Sequence, residues 1–266
     1  MSNALVHWLR LYFVQAWFSY RALFAWSTPF NYLASKLGFP FFSMLLFIYL
    51  GKYVGLNDPV YIVIGNILLL PSLNGVMGIS MTVGGEKQFG ALSYLLGSPA
   101  PRGAVFLGRA FFHILDGVIA VLIALPIAIL IFQLDLSQTN FGLLAICVML
   151  ISITATGLGF IMGVVTLLSR DGWMITSTLS LAFYVLIGVN FPIELLPAAL
   201  KSISLALPMT RGIQAARLAL AGAQFSEFSY LLAGEVLVGF IYIIFGYVLF
   251  RVVEKLSFKS GMLDNF

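Results

Sequence analysis

Long apolar runs separated by short polar breaks organise this chain. Runs of about twenty or more apolar residues are what a helix needs to cross the hydrocarbon core of a bilayer. Six are legible: roughly 31–53 (starting at Asn31 or Lys36), 59–83, 106–132, 141–168, 173–191 and 230–250. Pro71 lies inside the second and predicts a kink there. The first stretch, residues 4–28, is apolar but interrupted by His7, Arg10, Gln15 and Arg21, and carries Trp8, Tyr12, Trp17, Tyr20 and Trp26. Amphipathic aromatics favour the headgroup level, so the pattern predicts an interfacial helix within 1–30, with a broken first span as the alternative.

Two shorter stretches depart from this pattern. Residues 84–101, GGEKQFGALSYLLGSPAP, are bounded by glycines and prolines, and Phe89, Leu92, Leu95 and Leu96 recur at helical spacing. This predicts a surface helix too short to span, with Glu86 near the positive end of its dipole. The plain alternative is a connector that anchors two spans. Residues 192–229 are too apolar for an open loop and too broken to span. Pro192, Pro197 and Pro208 cut them into pieces of about 193–207 and 209–221, the latter with Arg211, Gln214 and Arg217 on a polar side and Gly222 after its end. The expectation is a re-entrant hairpin, or else a pair of helices resting on the outer headgroups.

Composition agrees. The 266 residues are 61% hydrophobic and 9% charged, against about 25% charged in soluble domains. The reading is one all-α polytopic membrane domain, residues 1–266, with no cleavable leader pattern. The net charge of +4 contains no basic run, so it does not signal nucleic acid. Lys and Arg sit singly at span ends. Arg10, Arg21, Lys36, Lys87, Arg102, Arg109, Arg170, Arg251, Lys255 and Lys259 fall on the side of the termini, and Lys52, Lys201, Arg211 and Arg217 on the other. The positive-inside rule then places both termini, and 84–101, in the cytoplasm of a cell-membrane protein. The lone Cys147 reads as a small buried hydrophobe.

Four ionisable residues fall inside spans. Arg109, His113 and Asp116 form a ladder on one helix face near the cytoplasmic end of the third span. It reads as a paired strip holding the bundle together, as part of a cytoplasmic gate, or as a proton relay. Glu235, about a third of the way into the sixth span, is expected either to pair with Arg211 or Arg217 or to line an exit path.

The order of parts resembles the membrane subunit of type-2 ABC exporters, the family of drug-efflux and polysaccharide- or teichoic-acid-exporting permeases. The residues that carry this are Glu86, Gly90, Leu92, Leu95, Ser98 and Pro99, with Pro192-Ile193-Glu194-Leu195-Leu196-Pro197 and Leu207-Pro208 before the last span. Ala91 departs from the pattern, where threonine is usual, as does Lys87-Gln88-Phe89 in place of a basic-acidic pair. The resemblance implies a cytoplasmic coupling helix at 84–101. There Glu86, Lys87, Phe89, Leu92 and Leu95 would meet a separate ATPase subunit, present in two copies, that carries ATP and Mg. It also implies a second copy of this chain and export past the outer hairpin. No Gly-x-x-x-x-Gly-Lys-Ser/Thr loop occurs in the chain, since Gly51-Lys52 is followed by Tyr53. No cofactor or metal is therefore expected on this chain.

Rival functions have fewer parts to draw on. His7 and His113 are far apart, and neither His-Glu-x-x-His nor Gly-x-Ser-x-Gly occurs, which leaves metal hydrolysis and serine chemistry unsupported. An ion-driven secondary transporter would use Asp116, Glu235 and breaks at Pro71 and Pro126. A passive channel or a scaffold stays open. For cargo, the few polar groups favour an amphipathic or hydrophobic molecule, a drug, antibiotic or lipid, over a polysaccharide.

Overall fold

The structure is a computed structural model and describes residues 2–26, 28–55, 58–88, 102–169 and 171–260. Every regular element among them is helical: α1 (Ser2–Trp26), α2 (Pro29–Tyr53), α3 (Pro59–Gln88), α4 (Arg102–Phe132), α5 (Phe141–Leu168), α6 (Gly172–Leu186), a 3-10 turn (Ile193–Leu195), α7 (Ala198–Ala206), α8 (Thr210–Leu220) and α9 (Phe225–Ser260). Local chemistry sets the starts. Thr28 caps α2 through Asn31 N–H at 3.2 Å, with Pro29 in the first turn. Asp58 accepts from Tyr61 N–H at 2.9 Å ahead of α3, and Asn140 from Leu143 N–H at 3.1 Å ahead of α5. Glu227 reaches back to Gln224 N–H at 3.0 Å at the start of α9.

Five helices, α2, α3, α4, α5 and α9, are long and apolar enough to cross a membrane. The fifth span expected from sequence is shorter than 173–191. Helix α6 has 15 residues, about 22 Å, and an irregular run follows it. Two other boundaries also move. Gly84-Gly85 does not break the helix before it, since α3 continues to Gln88. Gly84 is there for contact: a Cβ on it would lie 2.2 Å from Thr166 Cγ2. Beyond 250, where the last apolar run ends, α9 remains helical to Ser260, and Phe250 and Val253 are buried.

Helices α3 and α5 form the centre, with α4 on the flank of α3 and α9 on that of α5. Lipid supplies no hydrophobic drive between spans, so close backbone approach does the work. Gly75, Ile79 and Val83 on α3 face Ala155, Gly159 and Gly163 on α5. A Cβ on Gly159 would lie 2.6 Å from the Gly75 carbonyl oxygen, and one on Gly163 would lie 2.6 Å from Val83 Cβ. Outward-facing apolar side chains on α9, among them Phe240, Ile244 and Phe245, suit lipid.

The bundle has two distinct ends. At one, the 133–140 loop meets the turn after α8: Asn140 N–H donates to Ala219 O and Thr139 Oγ1 to Leu220 O, each at 3.0 Å. At the other, Phe106 and Phe250 stack edge to face at 4.6 Å over a second core with Ile79, Val83, Phe160 and Leu167. Helix α1 joins this end by packing along α4, where the Tyr12 and Phe111 rings lie 5.8 Å apart.

Candidate functional site

Sequence reasoning singled out three places: the 84–101 stretch, the hairpin and the intramembrane charges. Of the first, the described backbone reaches Gln88, and Phe89, Leu92 and Leu95 lie outside the described residues. Glu86 and Lys87 fall in the last turn of α3. Glu86 therefore sits at the negative end of the helix dipole and not at the start of a separate helix.

The hairpin takes shape at its prolines. Pro192 precedes the 3-10 turn, Pro197 precedes α7, and Leu207-Pro208 separates α7 from α8. The first piece expected at 193–207 is thus split at Leu196-Pro197. At the start of α8 the buried Met209 adopts a left-handed conformation, φ 81°. That leaves the first amides of α8 without helical partners, and Glu235 supplies them. Its carboxylate is fully buried and accepts from Met209 N–H at 2.6 Å, Gly212 N–H at 3.1 Å and Thr154 Oγ1 at 2.5 Å. A carboxylate at a helix N-terminus meets both the free N–H groups and the positive end of the dipole.

The expected ion pair of Glu235 with an arginine is therefore corrected. Arg211 Nη1 donates to Leu205 O at 2.6 Å, while its stem lies over Gly234. Arg217 binds three carbonyls, Tyr61 O at 2.8 Å, Gly188 O at 3.0 Å and Val189 O at 2.8 Å, and lies 3.4 Å from the centre of the Tyr61 ring. The reason is the short α6. Its unwinding at Ile187 frees carbonyls that a low-dielectric interior cannot leave unpaired. Arg217, Tyr61 Oη (to Gly188 O, 3.1 Å), Asn190 Nδ2 (to Tyr184 O, 3.0 Å) and Ser204 Oγ (to Leu186 O) satisfy them. Asn66 ties this end to α3, donating to Asn190 Oδ1 at 2.8 Å and accepting from Ser43 at 3.1 Å.

Of the Arg109–His113–Asp116 ladder, His113 and Asp116 bond side chains on neighbouring helices. His113 Nε2 lies 3.0 Å from Thr82 Oγ1, and that hydroxyl also lies 2.8 Å from Gly78 O. Gly78 leaves room for the ring, since a Cβ there would lie 2.3 Å from Nδ1. Asp116 bonds Lys36 Nζ at 2.6 Å and Tyr32 Oη at 2.5 Å, both on α2, and Lys36 also donates to Asn74 Oδ1 on α3 at 3.0 Å. Asp116 is about 18 Å along α4 from Ala104, the start of its apolar span. The ladder thus extends from near one end of the span to its middle. Lys36, in the second turn of α2, turns inward to Asp116 and so is not a free flank charge.

Several members of these networks were not legible. Lys36 read as a flank charge because its partner is 80 residues away. Tyr32, Asn74, Asn66 and Asn190 carry no motif, although two amides on one apolar helix were a signal. The buried hydroxyls of Ser80, Thr166 and Thr176, 3.0–3.4 Å apart, join the ends of α3, α5 and α6 in the same way. Beside Lys36, between α2 and α4, lies a cleft of about 290 Å³, lined by Gly38, Pro40, Phe41, Met44, Ala124 and Ala128 among others.

No match is found among curated proteins. The family model for the ABC-2 type transporter matches residues 12–221, from within α1 to the end of α8, and so takes in the ion-paired spans and the hairpin alike. With that match spanning well over half of a chain that is all-helical and multi-pass, the protein belongs to the ABC-2 type transporter family, as a membrane permease component.

Proposed function

We propose that this chain is the membrane subunit of an ATP-driven exporter that moves an amphipathic or hydrophobic molecule, a drug, antibiotic or lipid, out of the cytoplasm. Its energy comes from a separate ATPase subunit, present in two copies, which holds the ATP and Mg. Two copies of the chain form the pathway, and both termini and the 84–101 segment face the cytoplasm of the cell membrane. In this reading residues 84–101 dock on the ATPase through Glu86, Lys87, Phe89, Leu92 and Leu95, and the hairpin stands at the exit.

The observation that carries the reading is the division of the bundle into two unlike ends within a family of ABC transporter permeases. The long helices α3 and α4 lead into 84–101 at one end. At the other, short helices α7 and α8 are held by hydrogen bonds to a buried glutamate and an arginine. Long rigid spans between these ends suit a push delivered at one and used at the other. Helices α3 and α4 also run unbroken through Pro71 and Pro126, so the breaks that an ion-driven transporter would use at those two prolines are not there.

The test is a mild-detergent pull-down from native membranes with mass spectrometry, followed by transport in sealed vesicles. A stoichiometric partner bearing a P-loop, and ATP-dependent movement of an amphipathic probe, are expected. A chain recovered alone, whose transport follows an ion gradient, overturns the proposal. Transport of a polysaccharide in place of an amphipath overturns only the cargo.

A further inference from the structure

Helix α6 joins the bundle along one stripe. Gly172, Thr176, Ser180, Phe183 and Tyr184 are buried, while Trp173, Met174, Ile175, Leu181 and Val185 on its other sides are exposed. Polar groups bind it to α3 near both of its ends. Beside the α5–α6 turn, Ser80 Oγ of α3 lies 3.0 Å from both Thr166 Oγ1 of α5 and Thr176 Oγ1 of α6, and all three side chains are buried. Two glycines seat this hydroxyl clamp. A Cβ on Gly84 would lie 2.2 Å from Thr166 Cγ2, and one on Gly172 would lie 2.2 Å from Thr166 Cα. Thr166 thus has the end of α3 on one side and the start of α6 on another, each close enough to admit only a glycine.

Beyond the other end of α6 stands an amide clamp. Asn66 Nδ2 of α3 donates to Asn190 Oδ1 at 2.8 Å, and Asn190 Nδ2 donates to Tyr184 O at 3.0 Å. Between the clamps, Ser180 turns its hydroxyl back to Thr176 O of its own helix at 2.9 Å. Ser80 and Asn66 are about 21 Å apart along α3. A bond lost at either clamp leaves polar groups unpaired where water is absent, so sliding or turning one helix against the other is costly. The amide clamp is also where the hairpin is attached, since Arg217 of α8 holds Gly188 O and Val189 O, and Ser204 of α7 holds Leu186 O. The hydroxyl clamp lies one turn before Gly84, where α3 enters the 84–101 stretch.

We infer that α3 and α6 move as one strut, locked at both ends by these clamps, and that Ser80 and Thr176 are positioning residues that carry a displacement of the 84–101 end to the hairpin. Coupling between distant sites travels through such hydrogen-bonded networks and rigid elements. The inference rests on the exporter reading for what the movement serves, and on the two clamps alone for the locking.

Ser80→Ala cuts both contacts of α3 and leaves the Thr166 and Thr176 hydroxyls facing each other at 3.4 Å. Thr82→Val is the control, because Thr82 sits two residues further along α3 and meets His113 of α4 instead. Amide hydrogen exchange is followed by mass spectrometry on the full chain in phosphatidylcholine nanodiscs, without ATP or ATPase, and folding is checked by size exclusion. Ser80→Ala should speed exchange over 187–191, which begin about 16 Å along α6 from Thr176. The expected factor is about five, that of one ordinary hydrogen bond lost. Thr82→Val should leave these residues unchanged. Thr176→Val should repeat the Ser80→Ala effect, and either variant serves if the other folds poorly. Unchanged exchange over 187–191 in the folded clamp variants, or an equal rise in Thr82→Val, overturns the locking. With a co-purified ATPase, Ser80→Ala should keep its ATP turnover and lose most of the substrate moved per ATP. An unchanged ratio overturns the coupling role and retains the locking. Absence of any ATPase partner overturns the exporter reading instead, and leaves the exchange result standing.

Discussion

Glu235 serves as the acceptor for an exposed helix start, and its substitutions should rank accordingly. Removing the carboxylate strands Met209 N–H, Gly212 N–H and the Thr154 hydroxyl in a dry interior. Glu235→Ala should therefore cost about 2–4 kcal/mol, at about 1–3 kcal/mol per unsatisfied group with partial relaxation. Glu235→Gln keeps one acceptor oxygen and should fall between wild type and alanine in thermal unfolding in detergent. Equal stability of the alanine variant would remove the capping role, and normal transport by a folded glutamine variant would remove any role in the exit path. Asp116 and Lys36 obey a different rule, because each is the other's counter-ion. Lys36→Met or Asp116→Leu alone leaves a buried charge and should cost about 3–5 kcal/mol, while the double variant should recover most of that. A double-mutant cycle by denaturant titration measures it, and simple additivity would deny the coupling. The sequence made both acids visible as interior charges. It hid their partners, since Glu235 is satisfied by backbone amides exposed through the left-handed turn at Met209, and Asp116 by a lysine that looked like a flank residue.

Among the elements, spans announced themselves by length and hydropathy, and α5 runs over the 141–168 that its apolar run predicts. What did not show was the role of glycine. Gly84-Gly85 looks like a break in a linear reading, yet α3 passes through it because Thr166 of α5 presses on Gly84. The same contact logic gives a prediction. Gly159→Val forces its side chain against the Gly75 carbonyl and Ile79, and should destabilise by about 1–3 kcal/mol or more. Gly38→Ala, pointing into open space, should stabilise α2 by up to about 1 kcal/mol. Loss of stability in the second or its absence in the first would contradict the packing. Helix α6 was overestimated for a related reason: residues 187–191 are apolar enough to extend a span, and only three-dimensional contact shows their carbonyls turned to Arg217. Arg217→Lys retains charge but lacks the planar fork, and should loosen this junction by about 2 kcal/mol. Limited proteolysis of the 187–224 region would report it, with unchanged cleavage as the contrary result.

For the molecule as a whole, the two ends set a topology that can be checked directly. The 133–140 loop, the turn after α8 and the α2–α3 turn share one end, through the bonds of Asn140 and Thr139 to α8 and of Arg217 to Tyr61. Single cysteines at Ser137 and Ser226 should therefore react with a membrane-impermeant maleimide from the same side, and one at Lys255 from the opposite side. Split reactivity of the first two would break this arrangement. If the termini are cytoplasmic as the exporter proposal holds, the first pair is external. That the chain is all-helical and multi-pass was readable from hydropathy, because each span must satisfy its backbone within itself, whereas residues 89–101 lie outside the described residues. One residue makes such work simple. The sole thiol, Cys147, is completely enclosed in the α5 core. The native chain thus comes with a silent spectroscopic background, into which pairs of spin labels or fluorophores can be placed to follow the distance between the two ends through an ATP cycle.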